Sequence, residues 1–197
     1  FLNVTSDKCY ENKDNNDSYT EDQPMGGYDP YSSSKACSEL ITTAYRRSYF
    51  NNELNAKRLA VATARAGNVI GGGDWSEDRL IPDLIRAIDK NKDIEVRNPL
   101  AVRPWQHVFD ALHGYMILIE SLYANDKKFS EAWNFGPLDN KSKNVRWIVE
   151  SLVKIWGSES NIICQDGEPE FHEAHYLQLN SLKANKKSLY YGICRQH

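Results

Sequence analysis

Tyr31 and Lys35 have the spacing that most directly suggests chemistry. They stand four apart in Tyr31-Ser32-Ser33-Ser34-Lys35. On a helix that spacing puts both side chains on one face, one turn apart. Asp29-Pro30 reads as the helix start, with Asp29 as N-cap and Pro30 at the first helical position. An ammonium beside a phenol favours the phenolate, which suits Tyr31 to move a proton to and from a sugar or alcohol hydroxyl. Taken alone, such a pair is far more often a half-buried aromatic beside a surface lysine, and only its neighbouring sequence favours the chemical reading.

The elements that must position the pair are legible as periodicities. Phe1 to Ser6 reads as a short buried strand ending in Thr5-Ser6-Asp7-Lys8. Residues 9–28 form a long polar loop, a length that favours function over filler. The Tyr31 helix shows a stripe of Cys37, Leu40, Ile41, Ala44, Tyr45 and Ser48 and is predicted to end at Asn51-Asn52. Arg58 to Arg65 is the next strand, with Leu59, Val61 and Thr63 on one face and alanines on the other. Strand, helix and strand in this order predict a parallel sheet with crossover helices. Ligands gather at the carboxyl ends of such strands, where Ser6-Asp7-Lys8 and Ala66-Gly67-Asn68 would meet. Gly71-Gly72-Gly73-Asp74-Trp75 is either a flexible connection or a close backbone approach to a ligand. It is not the dinucleotide fingerprint, because G-x-G-x-x-G is absent from the chain. Further helices are expected over 79–90, over 109–123 as core, and over 144–156 closed by Gly157. Strands are expected at 93–97, 132–137 and 161–165, an extended stretch at 172–179, and a short polar helix at 181–190.

Composition narrows the function classes. A net charge of -3 without a basic stripe gives no reason to expect nucleic acid, and no apolar run reaches membrane-spanning length. Cys9, Cys37, Cys164 and Cys194 are far apart, without metal-ligand spacing, and read as reduced thiols of a cytoplasmic protein. No metal site is expected. The chain opens without Met in an apolar stretch and closes abruptly, so it reads as a piece of a longer protein.

Several signals occur together in order: Thr5-Ser6-Asp7-Lys8-Cys9-Tyr10, the Tyr31/Lys35 pair, Arg65-Ala66-Gly67-Asn68, Leu80-Ile81-Pro82, Arg103-Pro104-Trp105-Gln106-His107 and Trp133-Asn134-Phe135-Gly136-Pro137. This series resembles the extended short-chain dehydrogenase/reductase family and, within it, the nucleotide-sugar 4,6-dehydratases. Lys8 after Asp7, the run Gly71 to Trp75 and Glu173-Ala174-His175-Tyr176-Leu177 are similar to the branch acting on CDP-glucose. The resemblance implies an α/β fold: an incomplete Rossmann-type parallel sheet with crossover helices plus a smaller α/β substrate domain. Residues 1–70 would be the C-terminal part of the NAD-binding Rossmann domain. Residues 71–197 would be mainly the sugar-nucleotide-binding domain, with about 93–125 returning to the Rossmann part.

The resemblance also implies roles. The cofactor would be NAD, held by Tyr31, Lys35 and Thr5. Tyr31 would take the C4 hydroxyl proton, Lys35 would support it, and Ser6 would hydrogen-bond the C4 oxygen. Asp7 would be the acid for the C6 hydroxyl. Lys8 would be the base at C5, or else would stabilise the enolate, since an ammonium takes no proton unless burial or a nearby cation discharges it. Asn68, Arg79 and Arg103 would contact the diphosphate of a CDP-sugar, as the forked guanidinium suits phosphate oxygens. Asn144, His172 and Tyr176 would lie near the base or ribose. His107 reads as structural. A homodimer or higher homo-oligomer is expected. The rival expectations are another NAD-dependent nucleotide-sugar dehydratase or epimerase, and a non-catalytic nucleotide-binding relative.

Overall fold

In a computed structural model of the chain, the residues described are 1–12, 17–50, 59–138, 143–164, 176–187 and 189–190. Their elements run β1 (Leu2–Val4), a 3-10 turn (Asp7–Cys9), α1 (Pro30–Tyr45), a π-helical turn (Arg46–Phe50), β2 (Ala62–Ala66), β3 (Val69–Ile70), α2 (Leu80–Asp89), β4 (Ile94–Val96), β5 (Val102–Arg103), β6 (Gln106–His107), α3 (Val108–Asn125), a 3-10 turn (Asp126–Phe129), β7 (Ala132–Phe135), β8 (Lys143–Asn144), α4 (Val145–Trp156), β9 (Ile162–Cys164) and α5 (Leu182–Lys186). The α/β expectation is met.

A parallel sheet in the order β1-β2-β7 lies at the centre, with Leu2 opposite Ala62 and Ala66 opposite Phe135. β2 is buried on both faces, as the middle strand of a parallel sheet is. Its alternation sorts those faces. Ala62 and Ala64 pack with Leu118 and Leu122 of α3, Trp133 and Phe135 of β7, and Tyr190. Thr63 and Arg65 point the other way, to Glu39 of α1. A second cluster joins α2 and α4 through Leu84, Ile88 and Val149 over the parallel pair β4-β9. A third binds the long loop to the sheet through Cys9, Tyr10, Tyr19, Leu177 and Leu179. Ile94–Val96 therefore belongs to the second cluster, while α3 and β7 belong to the central sheet.

Two helices leave apolar surface exposed. In α1 the apolar stripe is the exposed face, with Leu40, Ile41 and Tyr45 open to solvent. Its buried face is Ser32, Ala36 and Glu39, because small side chains allow a close approach to the sheet and Glu39 has partners there. α3 is core on one side only. Ala111, Leu118 and Leu122 are buried, whereas Phe109, Met116 and Tyr123 are exposed. Gly157 ends α4 as read, with φ 73°, a left-handed backbone that suits glycine, while Asn144 stands just before the helix as its N-cap. The last helix is shorter than expected, Leu182–Lys186. The expected features at residues 51–52, 58, 165 and 172–175, and at Cys194, lie outside the described residues.

Candidate active site

The carboxyl ends of β1 and β2 meet side by side, since the strands are parallel and in register. Just past β1 the chain turns into the 3-10 turn, capped by Ser6, whose Oγ accepts from Lys8 N at 3.2 Å. The same hydroxyl donates to Asp7 Oδ1 at 3.0 Å. Asp7 is only 3% exposed, and its Oδ2 has no hydrogen-bond partner among the described residues. Burial pushes this carboxyl up to about 6, against the opposing pull of the Ser6 hydroxyl and of the Lys8 and Arg103 charges. Lys8 is exposed.

α1 packs on this turn. Its start is fixed by Asp29, which accepts from Ser32 N at 2.9 Å and from Ser32 Oγ at 2.5 Å. Those bonds, with help from the Lys8 charge, hold the Asp29 carboxyl below its usual range and place Lys8 near the helix start. Tyr31 and Lys35 share a face as the spacing predicts, with Lys35 Nζ 5.7 Å from the Tyr31 ring centroid. Tyr31 is 51% exposed and Lys35 is half-buried, so the phenol is open to a ligand with the ammonium beside it. Such a pair fits a nicotinamide ribose, whose hydroxyls need donors that are not already spent inside the protein.

A buried polar network ties this helix to the sheet. Glu39 accepts from Arg65 Nη2 at 2.7 Å, Thr5 Oγ1 at 2.5 Å and Thr63 Oγ1 at 2.8 Å. Burial disfavours its charge, but these partners outweigh that and keep the carboxyl below the usual range. Arg65 also donates to Tyr10 OH at 2.6 Å, and Tyr10 donates to Asn134 Oδ1 at 2.7 Å. The Thr5 hydroxyl is therefore turned into the core.

The other expected residues fall into two places. Arg103, Asn144 and Tyr176 converge, because Val102 pairs with Asn144 in the β5-β8 ribbon and bridges to Tyr176. Asn144 uses its side-chain oxygen to cap α4, accepting from Trp147 N at 2.9 Å, and the Tyr176 hydroxyl donates to Gln178 Oε1. Arg103 is buried, and its charge reaches Asp7, which joins this cluster to the strand ends. Asn68 follows β2 in a left-handed conformation with φ 45°, and its carbonyl accepts from Gln106 N at 3.3 Å. Arg79 stands exposed at the start of α2. His172 lies outside the described residues. His107 Nδ1 accepts from Phe109 N at 3.2 Å, a structural role at the start of α3.

Three residues given no role by the sequence matter here. Gln106 Nε2 donates to Phe135 O at 2.9 Å and Gly67 O at 3.3 Å, spanning two strand ends. Glu39 fixes α1, and its signal was a charged residue in register with Ser32 and Ala36. Gly67 lies against Asp7: a Cβ there would meet Oδ2 at 1.8 Å. Among the described residues no group of three or more His, Cys, Asp or Glu could hold a metal, and no helix is long and apolar enough to cross a membrane.

An α/β sheet with an ordered polar edge and a Tyr/Lys helix beside it defines a class of nucleotide-dependent enzymes, and residues 1–136 match the NAD dependent epimerase/dehydratase family. The chain belongs to that family. It is 50% identical over 185 residues to the CDP-glucose 4,6-dehydratase of Salmonella typhimurium, covering 93% of this chain and 51% of that protein. It is 30% identical over 162 residues to a dTDP-glucose 4,6-dehydratase of Streptomyces griseus, covering 80% of this chain and 44% of that protein. The chain thus spans about half the length of these curated relatives. The crystal structure of a dTDP-glucose 4,6-dehydratase from Bacillus anthracis in complex with NAD shares the fold, with TM-score 0.74 and 22% identity over 98% of this chain and 56% of that one.

Proposed function

We propose that the whole protein carrying this chain dehydrates CDP-glucose to CDP-4-dehydro-6-deoxyglucose, with NAD as its cofactor. The observation that carries this reading is Asp7: a sealed carboxyl raised toward neutrality, beside the helix of Tyr31 and Lys35. An epimerase that works at C4 needs only proton and hydride transfer there. A dehydratase needs in addition an acid for a departing hydroxyl, and Asp7 has that character. The choice of a CDP-sugar is supported by the Ser6-Asp7-Lys8 run and the 50% identity with the Salmonella enzyme.

NAD, when bound, supplies a hydride acceptor for C4 and a hydride donor for C6. Tyr31 and Lys35 would hold its ribose, with Thr5 offering backbone at the strand end. Tyr31 takes the C4 hydroxyl proton, with the Lys35 charge beside it, and Ser6 hydrogen-bonds the C4 oxygen. The 4-ketone acidifies the C5 proton, which passes to Lys8 once the sugar covers that side chain, excludes water and drives the ammonium to give its own proton to solvent. The C5–H electron pair becomes the C5=C6 bond, the C6–O bond breaks, and Asp7 gives its proton to the leaving hydroxyl, which departs as water. When hydride is returned to C6, Lys8 gives the proton back to C5, which completes the 6-deoxy sugar. Arg79, Arg103 and Asn68 bind the diphosphate; Asn144 and Tyr176 lie toward the nucleoside. The central sheet with α1 and α3 serves the cofactor, and the α2-α4 cluster serves the sugar nucleotide.

The protein acts in the cytoplasm as a homodimer. That assembly is supported by the exposed apolar stripes, Leu40, Ile41 and Tyr45 on α1 and Phe109, Met116 and Tyr123 on α3. The function is tested by giving the whole protein NAD and CDP-, UDP- or dTDP-glucose. The expected result is 4-keto product from CDP-glucose in preference to the others; no product from any of the three would overturn the reading.

A further inference from the structure

The Asp7 carboxyl occupies the space that a side chain at Gly67, just past the end of β2, would take. A Cβ built at Gly67 would lie 1.8 Å from Asp7 Oδ2, 2.2 Å from its Cγ and 2.9 Å from its Oδ1. The φ of Gly67 lies outside the left-handed region, so the backbone itself would accept any L residue. The three atoms nearest to such a Cβ all belong to the Asp7 carboxyl. We propose that Gly67 is a positioning residue for the elimination step: the missing side chain makes the space that holds the Asp7 carboxyl at the junction of β1 and β2. This inference rests on the reading of Asp7 as the acid.

The other groups around the carboxyl cannot supply that fixity. Ser6 reaches only Oδ1, Oδ2 has no partner among the described residues, Arg103 acts through charge, and Lys8 acts through its charge and its backbone N–H. With a methyl group at position 67, Asp7 must turn out of its slot. Removal of hydride from C4 uses Tyr31 and Lys35 and does not require the slot. Protonation of the C6 hydroxyl does.

The test is Gly67→Ala in the whole protein supplied with NAD. Turnover of CDP-glucose should fall about 10²–10³-fold, the range a displaced general acid forfeits, while reduced nicotinamide builds up during turnover because oxidation outruns elimination. A merely structural lesion would lower both steps together. In case Gly67→Ala folds poorly, the thermal stability of the wild type, Gly67→Ala, Asp7→Ala and the double variant forms a second test. The alanine should destabilise the wild-type background and cost little where Asp7 has been removed. Equal cost in both backgrounds, or normal turnover by Gly67→Ala, would overturn the proposal. A wild-type protein that makes no 4-keto product would sink the acid role together with the proposed function; the stability set would still decide the packing claim by itself.

Discussion

The two halves of the site are built in opposite ways. At the end of β1, Asp7 is sealed, half-satisfied and pressed against Gly67, and its proton affinity is set by burial within the protein itself. One helix away, Tyr31 is open to solvent with half-buried Lys35 beside it. An acid that must still carry its proton at the moment of use benefits from burial. A phenol that must meet a substrate hydroxyl and a cofactor together benefits from exposure. The Glu39–Arg65 pair, between α1 and β2, is what keeps the two in register.

The sharpest way to separate the halves is to disable each. Tyr31→Phe should lower CDP-glucose turnover by about 10³-fold with no reduced cofactor appearing, since the first proton transfer is lost. Asp7→Asn should lower turnover by a similar factor but let reduced cofactor accumulate, because only the later step is blocked. Stopped-flow absorbance distinguishes them; identical traces would dissolve the division of labour.

Next in size is the link itself. Glu39→Ala strands the buried Arg65 guanidinium and should cost about 3–5 kcal/mol in denaturant unfolding. A cost near that of an exposed residue would mean that the network does not hold α1 to the sheet.

A comparable effect with a definite sign comes from pH. The folded Asp7 carboxyl keeps its proton up to about 6, above the ordinary 3.8. Folding therefore binds protons between those values, and stability falls as pH rises through that window. Asp7→Asn removes the burden of a buried anion, so the variant should be more stable than wild type by about 3 kcal/mol near neutral to mildly alkaline pH, with the gap closing below the ordinary carboxylate value. Thermal unfolding against pH reads this directly. The smallest effect lies away from both halves: Asn144→Ala removes the α4 cap and should cost about 1 kcal/mol.

The residues explain what was legible beforehand. The start of α1 could be read because Asp29 and Pro30 are local signals, and the end of α4 because Gly157 takes a left-handed backbone. The parallel sheet followed from element order. Which neighbour covers the α1 stripe was not legible, because hydrophobic periodicity marks where an apolar surface is and not what lies against it; α1 meets the sheet through Ser32, Ala36 and Glu39. The two-residue strands β3, β5, β6 and β8 exist only through their distant partners and leave no periodic trace. The motif residues Ser6, Asp7, Tyr31 and Lys35 were identifiable from spacing and resemblance. The demand for glycine at position 67 was not, because it arises from a side chain sixty residues earlier in the chain.

The central claim is that Asp7 stands ready as an acid. An isotope-edited infrared titration of the Asp7 carboxyl in the whole protein, with Asp7→Asn as the blank, measures its protonation directly. The midpoint predicted is about 6; a carboxyl fully ionised down to the ordinary aspartate range would contradict the account.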